Sequence, residues 1–134
     1  MQIQTSDEET NECVHHMLQE YNARYMQDAG DFCYSIKEDG TLAAGIVASG
    51  VFDTVEVDYL CVAEEYRGRG YGEALLKRVE QEAAKRGMRR ILLNTYSFQA
   101  PGFYGKMGYR ELFKIDPAFH DCSQHFFMKE LASC

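Results

Sequence analysis

A glycine-rich turn between an apolar run and a helical run constrains this chain more than any other feature. The turn consists of Arg67, Gly68, Arg69, Gly70, Tyr71 and Gly72. The apolar run Val55 to Ala63 precedes it and the helical run Gly72 to Arg86 follows it. Glycines let the backbone turn sharply and approach a ligand closely, and the unpaired N–H groups of a helix's first turn favour an anion. The pattern therefore predicts a strand, a phosphate-binding turn and a helix in succession.

Three known phosphate-binding loop patterns have features in common with this turn. A Walker A loop needs Gly-Lys-Ser/Thr to hold Mg²⁺, and its absence argues against nucleoside triphosphate hydrolysis. The dinucleotide fingerprint Gly-x-Gly-x-x-Gly fits poorly, because the third glycine comes one place early and the turn lies mid-chain. The third pattern, Arg/Gln-x-x-Gly-x-Gly/Ala, is matched in full by Arg67, Gly70 and Gly72. The alternative is a glycine-rich turn before an ordinary surface helix.

This third pattern is the pyrophosphate-binding signature of the GNAT superfamily of N-acetyltransferases, which the chain resembles from about Phe32 to Leu131. A second GNAT-like segment, Phe103 to Tyr109, carries a tyrosine before the last strands. Glu56 lies eleven residues before Arg67, where several family members have a catalytic glutamate. The segment Thr95 to Pro101 also resembles a bacterial subset of the family, without indicating a substrate.

Length and composition predict a single domain over residues 1–134 with one hydrophobic core, since 46% of the residues are hydrophobic. The sequence has neither an 18-residue apolar run nor a secretory signal pattern, so we expect a cytoplasmic protein without a membrane partner. The net charge of −7 argues against a nucleic-acid partner and suits a cationic amine. Five cysteines without a Cys-x-x-Cys pair indicate reduced thiols and no metal site.

The predicted fold is α/β (α+β) and, by the resemblance, the GNAT fold: a mixed central sheet with an antiparallel N-terminal meander, splayed parallel central strands and flanking helices. Periodic apolar residues predict a helix over 7–28. The predicted strands are 32–37, 42–52, 55–63, 90–95, 109–115 and 124–131, with a loop over 116–123. Further helices are expected over 72–86 and from Pro101 to Gly108.

The resemblance implies that acetyl-CoA binds where the two parallel strands separate. The pantetheine arm would lie between Leu60, Cys61 and Val62 on one strand and Leu93 and Asn94 on the other. Backbone groups near Leu60 and Val62 would pair with it as with an added strand. The alternative is that these residues merely pair within the sheet. Cys61 is expected to fill a buried strand position rather than act as a nucleophile. Lys106 is a further candidate for the CoA phosphates.

Direct acetyl transfer to an amine needs a neutral amine, a stabilised oxyanion and a proton for the leaving thiolate. Tyr104 is the candidate general acid, and Glu56 the candidate base. Asp58 is a second candidate base or a substrate anchor, and alternation predicts it on the same face as Glu56. His120 is a candidate for the acceptor site. Each of these side chains has a structural alternative as a core or solvated residue.

The sequence therefore predicts an acetyl-CoA-dependent N-acetyltransferase that acetylates a primary amine, with a small molecule favoured as the acceptor. The first alternative is a protein or peptide N-acetyltransferase. The second is a CoA-binding sensor without catalysis, which the presence of both Glu56 and Tyr104 disfavours. A homodimer is expected by analogy with the family alone.

Overall fold

Seven strands form one mixed sheet in the computed structural model, which describes residues 1–26 and 28–131. The elements in chain order are α1 Glu8–Asn22, β1 Asp28–Asp31, β2 Tyr34–Glu38, β3 Thr41–Val51, β4 Thr54–Val62, a 3₁₀ turn Glu64–Tyr66, α2 Tyr71–Lys85, β5 Arg90–Tyr96, α3 Pro101–Lys106, β6 Arg110–Phe119 and β7 Cys122–Glu130. The strand order is β1-β3-β4-β5-β7-β6, and β2 also pairs with β3. This arrangement confirms the predicted fold class.

The two central strands are parallel and separate as predicted. β4 and β5 pair from Thr54 with Arg90 to Glu56 with Leu92, and no further. Beyond these rungs β4 continues against β3 as far as Val62, and β5 continues against β7 as far as Tyr96. Each strand is thus held on its outer edge while the inner edges separate. The result is a wedge-shaped gap at the carboxyl ends of β4 and β5.

Helix α2 crosses between β4 and β5 and packs on one face of the sheet. Its buried side chains are Leu75, Leu76, Val79 and Ala83, at the helical spacing that the sequence predicted. They join a core that includes Phe32, Ile46, Val55 and Ile91. Full burial of such an aliphatic side chain stabilises the fold by about 1.5–3 kcal/mol. The packing fixes the start of α2 against the end of β4.

Helix α1 is shorter than predicted, and its apolar residues are not buried. It begins as expected, because the Asp7 carboxylate accepts a 2.8 Å hydrogen bond from the Thr10 N–H. It ends at Asn22 rather than 28, where residues 23–25 form a turn, and Gln27 lies outside the described residues. Its exposed large apolar side chains are Val14, Met17, Leu18 and Tyr21, and Tyr25 in the turn is also exposed. The periodicity predicted the helix, but periodicity does not specify what an apolar face contacts.

The last two strands are longer than predicted. The expected loop over 116–123 is absent from the described structure, since β6 runs to Phe119 and β7 starts at Cys122, with a turn at His120 and Asp121. Pro117 lies within β6. It is tolerated because β6 is the outermost strand, and because the register with β7 shifts between Ile115 and Phe119. No helix in the described ranges is long and apolar enough to span a bilayer.

Candidate active site

A cleft of about 990 Å³ opens where β4 and β5 separate. It is lined by residues 57–62 of β4, by Tyr66, Arg67, Gly68 and residues 70–73 of the following turn and helix, by residues 93–95 of β5, by residues 98–100, and by Phe103 and Tyr104. The structure thus brings together most of the predicted site residues. Among the predicted residues, Glu56, Arg69, Lys106 and His120 do not line it.

The backbone of β4 presents to the cleft peptide groups that do not pair with β3. The Ala63 N–H donates to the Ala43 carbonyl at 2.8 Å, and Leu60 stands opposite Ile46 and Val62 opposite Ala44 in the register. Residue pairs in an antiparallel ladder alternate between bonded and non-bonded. Leu60 and Val62 consequently direct their N–H and C=O groups away from β3 and into the gap. An extended amide chain would find strand-like partners there.

The alternation of buried and exposed residues along β4 is interrupted after Asp58. Val57 stands opposite Ala48 and Tyr59 opposite Val47, so Asp58 is an extra residue, a β-bulge. The bulge does not separate Glu56 from Asp58, because buried and exposed residues alternate without a break from Val55 to Asp58 and both carboxylates are exposed. Both side chains are exposed, but Asp58 lies in the cleft wall, whereas Glu56 lies on the last rung before the strands part and does not line the cleft. The better placed carboxylate is therefore that of Asp58.

The glycine-rich turn leaves its backbone amides open. Gly68 and Gly70 have φ of +80° and +82°, a conformation that favours glycine. Apart from the glycine and its two chain neighbours, no atom of the described residues lies within 4 Å of the position that a Cβ would take at either residue. Gly70 caps α2 without any side-chain hydrogen bond to the first turn, in contrast to Asp7 at α1. The first amides of α2 thus face the cleft without an intrahelical partner, as an anion site requires.

Side chains of the turn are directed to neighbouring elements. The Arg67 Nε donates to the Val62 carbonyl at 3.1 Å, which ties the turn to the end of β4. The Arg69 guanidinium lies 5.1 Å from the centre of the Tyr66 ring. The Tyr71 hydroxyl donates to the Glu38 carboxylate, and this bond raises the pKa of Tyr71. What Tyr71 offers a ligand is therefore its backbone.

Tyr104 presents a hydroxyl group to the cleft from a rigid aromatic cluster. The residue is 9% exposed, and its ring packs against Phe103, Tyr109 and Phe127 at centroid distances of 5.2, 5.9 and 5.8 Å. The hydroxyl has no hydrogen-bond partner within residues 1–26 and 28–131, and it is not a buried unpaired atom. It therefore opens onto the cleft that Tyr104 lines. Burial raises the pKa of Tyr104, so the hydroxyl stays protonated.

The remaining predicted residues occupy different positions around the cleft. Asn94 lines it, and its carbonyl oxygen accepts from Gln124 at 3.1 Å. The expectation that Cys61 is buried is wrong, since its side chain is exposed. Lys106 ends α3 on the surface. His120 lies in the turn between β6 and β7, with its ring 5.9 Å from that of Phe119.

Some lining residues had no predicted role. They include Tyr59, Tyr66, Glu73, Thr95, Phe98, Gln99, Ala100 and Phe103. The segment Thr95 to Pro101 had been noted in the sequence, but its function could not be read from its residue types. Glu73, although it lies near the anion site, forms a 2.8 Å ion pair with Lys77. No group of three His, Cys, Asp or Glu side chains in the described part of the chain is placed to hold a metal ion.

Comparison with known proteins identifies the class to which this fold and cleft belong. Residues 2–109 match the acetyltransferase (GNAT) family. The chain therefore belongs to the GNAT family and is an acetyltransferase. Members of this family use acetyl-CoA, and the open amides and the strand gap are consistent with such a ligand.

Relatives of the chain are acetyltransferases with various acceptors. Blasticidin-S acetyltransferase of Streptomyces morookaense is 36% identical over 99 residues, which cover 73% of each chain. The crystal structure of an acetyltransferase from Bacillus cereus ATCC 14579 is similar with a TM-score of 0.81, 32% identity and 98% coverage of both chains. A Bacillus anthracis protein assigned as a streptothricin acetyltransferase, solved with acetyl coenzyme A, has a TM-score of 0.67 and 19% identity over 76% of this chain and 63% of its own. At 19% identity, this last similarity shows a shared fold and nothing more.

Proposed function

We propose that the protein transfers the acetyl group of acetyl-CoA to a primary amine of a small molecule, within a ternary complex. The observation that carries this proposal is the cleft itself, which is lined by uncapped amides of α2, by peptide groups of β4 that do not pair with β3, and by the open Tyr104 hydroxyl. The amides would hold the pyrophosphate and the β4 backbone the pantetheine. Arg67 and Asn94 would support the same ligand from either wall.

In the proposed reaction the neutral amine attacks the thioester carbonyl carbon through its nitrogen lone pair. A C–N bond forms, the carbonyl oxygen becomes an oxyanion, and the C–S bond then breaks. Tyr104 would donate its proton to the departing CoA thiolate. The proton lost by the amine would pass to Asp58, directly or through water, with Glu56 as the next candidate. The net products are the acetamide and CoA.

The preference for a small molecule rests on Blasticidin-S acetyltransferase, whose name states an antibiotic substrate. The acidic net charge of −7 also suits a cationic acceptor. Homodimerisation is part of the proposal, because Val14, Met17 and Leu18 of α1 are exposed and a second copy could cover them. A cytoplasmic location is supported by the free thiols of Cys13, Cys33, Cys61 and Cys122.

The test is release of the CoA thiol from acetyl-CoA with a panel of acceptors. The panel contains blasticidin S, polyamines, amino acids, aminoglycosides and peptides with free N-termini or lysines. Turnover of a small amine supports the proposal, whereas turnover of peptides alone would establish the protein acetyltransferase instead. Tight acetyl-CoA binding in calorimetry without release for any acceptor would point to a sensor. Sedimentation of the purified protein measures its oligomeric state.

A further inference from the structure

Three aromatic rings form a platform beside the cleft, which we call the ring platform: Tyr96, Phe98 and Phe119. Tyr96 and Phe98 stack at 5.7 Å with an interplanar angle of 6°. Phe119 meets both edge-on, at 5.6 Å from Tyr96 and 6.0 Å from Phe98. Phe98 is 64% exposed and Phe119 45% exposed, and Phe98 also lines the cleft. The platform is therefore a solvent-facing apolar surface that continues into the proposed active site.

The turn that carries Phe98 is held rigidly by hydrogen bonds. The Gln99 side-chain oxygen accepts from the Tyr96 N–H at 2.8 Å and from the buried Thr95 hydroxyl at 3.0 Å. The Gln99 N–H returns a bond to the Tyr96 carbonyl at 2.9 Å. The turn is also fixed to β7, because Ser97 and Ser123 exchange two bonds of 2.8 and 3.0 Å. An exposed phenylalanine at the tip of a surface turn is thus kept in one place.

A large ring that is exposed and yet immobilised has no evident role in the core. Tyr96 and Phe119 fix the orientation of Phe98, and the hydrogen bonds fix its backbone, so little conformational freedom is lost when a ligand stacks there. Aromatic faces prefer offset-stacked or edge-to-face contacts with other flat rings. The cleft continues from Phe98 to Asp58, which suits an amine group that extends from such a ring.

We propose that the ring platform binds a flat conjugated ring of the acetyl acceptor, while the amine on that acceptor reaches the thioester. This inference rests on the proposed function and specifies its substrate class as ring-bearing amines. Phe98 is the specificity-determining residue, Tyr96 and Phe119 support it, and Gln99 is a positioning residue that acts through the turn.

The test compares two amines that differ only in whether the ring is flat: 2-phenylethylamine and 2-cyclohexylethylamine. We expect the wild type to have the higher kcat/KM for 2-phenylethylamine, and Phe98→Ala to lower that value by about 2- to 10-fold, the range of one aromatic contact. Phe98→Trp should retain the preference. Phe52→Ala is the matched control, since Phe52 is 51% exposed in the turn between β3 and β4 and does not line the cleft. If Phe98→Ala lowers kcat/KM equally for both amines, or for neither, the proposal that the ring platform binds the acceptor's ring is wrong.

A binding measurement covers the case in which neither amine turns over. Labelled protein saturated with CoA is titrated with each amine, and the aromatic resonances of Tyr96, Phe98 and Phe119 are followed by NMR. We expect 2-phenylethylamine to shift them more than 2-cyclohexylethylamine, and equal or absent shifts contradict the inference. Calorimetry of acetyl-CoA binding separates the two proposals. If acetyl-CoA does not bind, the proposed function is wrong. If acetyl-CoA binds normally but the platform resonances do not respond to 2-phenylethylamine, only the proposal of a ring-binding platform is wrong.

Discussion

Glu56 stands opposite Leu92 on the last rung of the parallel β4–β5 ladder, and the cleft begins immediately beyond this pair. The rung is the apex of the wedge. It separates Glu56, which belongs to the continuous sheet, from Asp58, which belongs to the wall of the cleft. Glu56 and Asp58 are only two positions apart on β4, and this difference decides which of them is the better candidate for the general base.

The first prediction concerns these two carboxylates. Asp58→Asn should lower kcat/KM at neutral pH by about 10²-fold, within the range for one proton-transfer group, and Glu56→Gln should lower it less. The deficit of Asp58→Asn should shrink as the pH approaches the pKa of the acceptor amine, because neutral amine then becomes abundant without a base. Rate profiles between about pH 6 and pH 10 measure both effects. A deficit for Asp58→Asn that is constant with pH would instead assign Asp58 to binding the ammonium group.

The second prediction concerns Tyr104. Tyr104→Phe removes only the hydroxyl and should lower kcat by about 10²-fold or less, while acetyl-CoA affinity changes by no more than a few fold. Because burial raises the pKa of Tyr104 above its usual value near 10, this residue should cause no decline in the wild-type rate below about pH 10. An unchanged kcat together with a lower melting temperature would show that the hydroxyl is structural.

The third prediction concerns the glycine-rich turn. Gly70→Asp places a carboxylate where the amides of α2 would meet pyrophosphate, and acetyl-CoA binding should be lost in calorimetry. Gly87→Asp is the matched control, since Gly87 also has a φ of +80° and an open Cβ position but lies at the other end of α2. Both variants bear the strain of a left-handed residue, about 1–2 kcal/mol. Normal affinity in a folded Gly70→Asp protein would contradict the anion site.

The fourth prediction concerns a polar network behind the cleft. Tyr109 donates to Glu80 at 2.9 Å, and Lys129 donates to the same carboxylate at 2.8 Å. Burial, followed by the charge of Glu80, raises the pKa of Tyr109 far above its usual value. Because the pKa of Tyr109 is raised in the folded state, its contribution to the free energy of unfolding is complete below about pH 10. The contribution falls above that pH, as the tyrosine of the unfolded chain ionises.

Denaturant unfolding at about pH 7 and pH 11 tests this prediction. The wild type should lose more unfolding free energy between the two pH values than Tyr109→Phe, which cannot ionise at this position. At neutral pH the variant itself should be less stable by about 1–3 kcal/mol, because Glu80 loses a buried partner. Identical pH dependence in the two proteins would show that Tyr109 ionises normally in the folded state.

Local patterns predicted the elements that build the cleft. Asp39 and Gly40 fixed the β2–β3 turn through their positive φ, and the spacing of Leu75, Leu76 and Val79 gave α2 and its buried face. The bulge at Asp58 could not be predicted, because it is defined by the register with β3 and leaves no signal in β4 alone. The difference between the two carboxylates has another cause, because the pairing of β4 with β5 ends at Glu56 and the cleft begins beyond it.

Other differences between the predictions and the structure arise from tertiary contacts, which a local sequence pattern does not specify. The apolar spacing of Val14 and Leu18 indicates an amphipathic helix and is silent about its contacts. The role proposed for Phe98 rests on its packing against Phe119, which comes from a strand about 20 residues later. The sequence drew attention to Phe98 only as part of the segment Thr95 to Pro101, for which it indicated no function.

The outermost strand, β6, also bears on how the protein behaves at high concentration. A bare sheet edge is a template on which the strand of another molecule can add, and this is a common route to aggregation. Pro117 offers no N–H group to such a strand, and the register shift between Ile115 and Phe119 breaks the regular spacing of the remaining groups. Pro117 and the register shift therefore make the outer edge of β6 a poor template for a strand of another molecule.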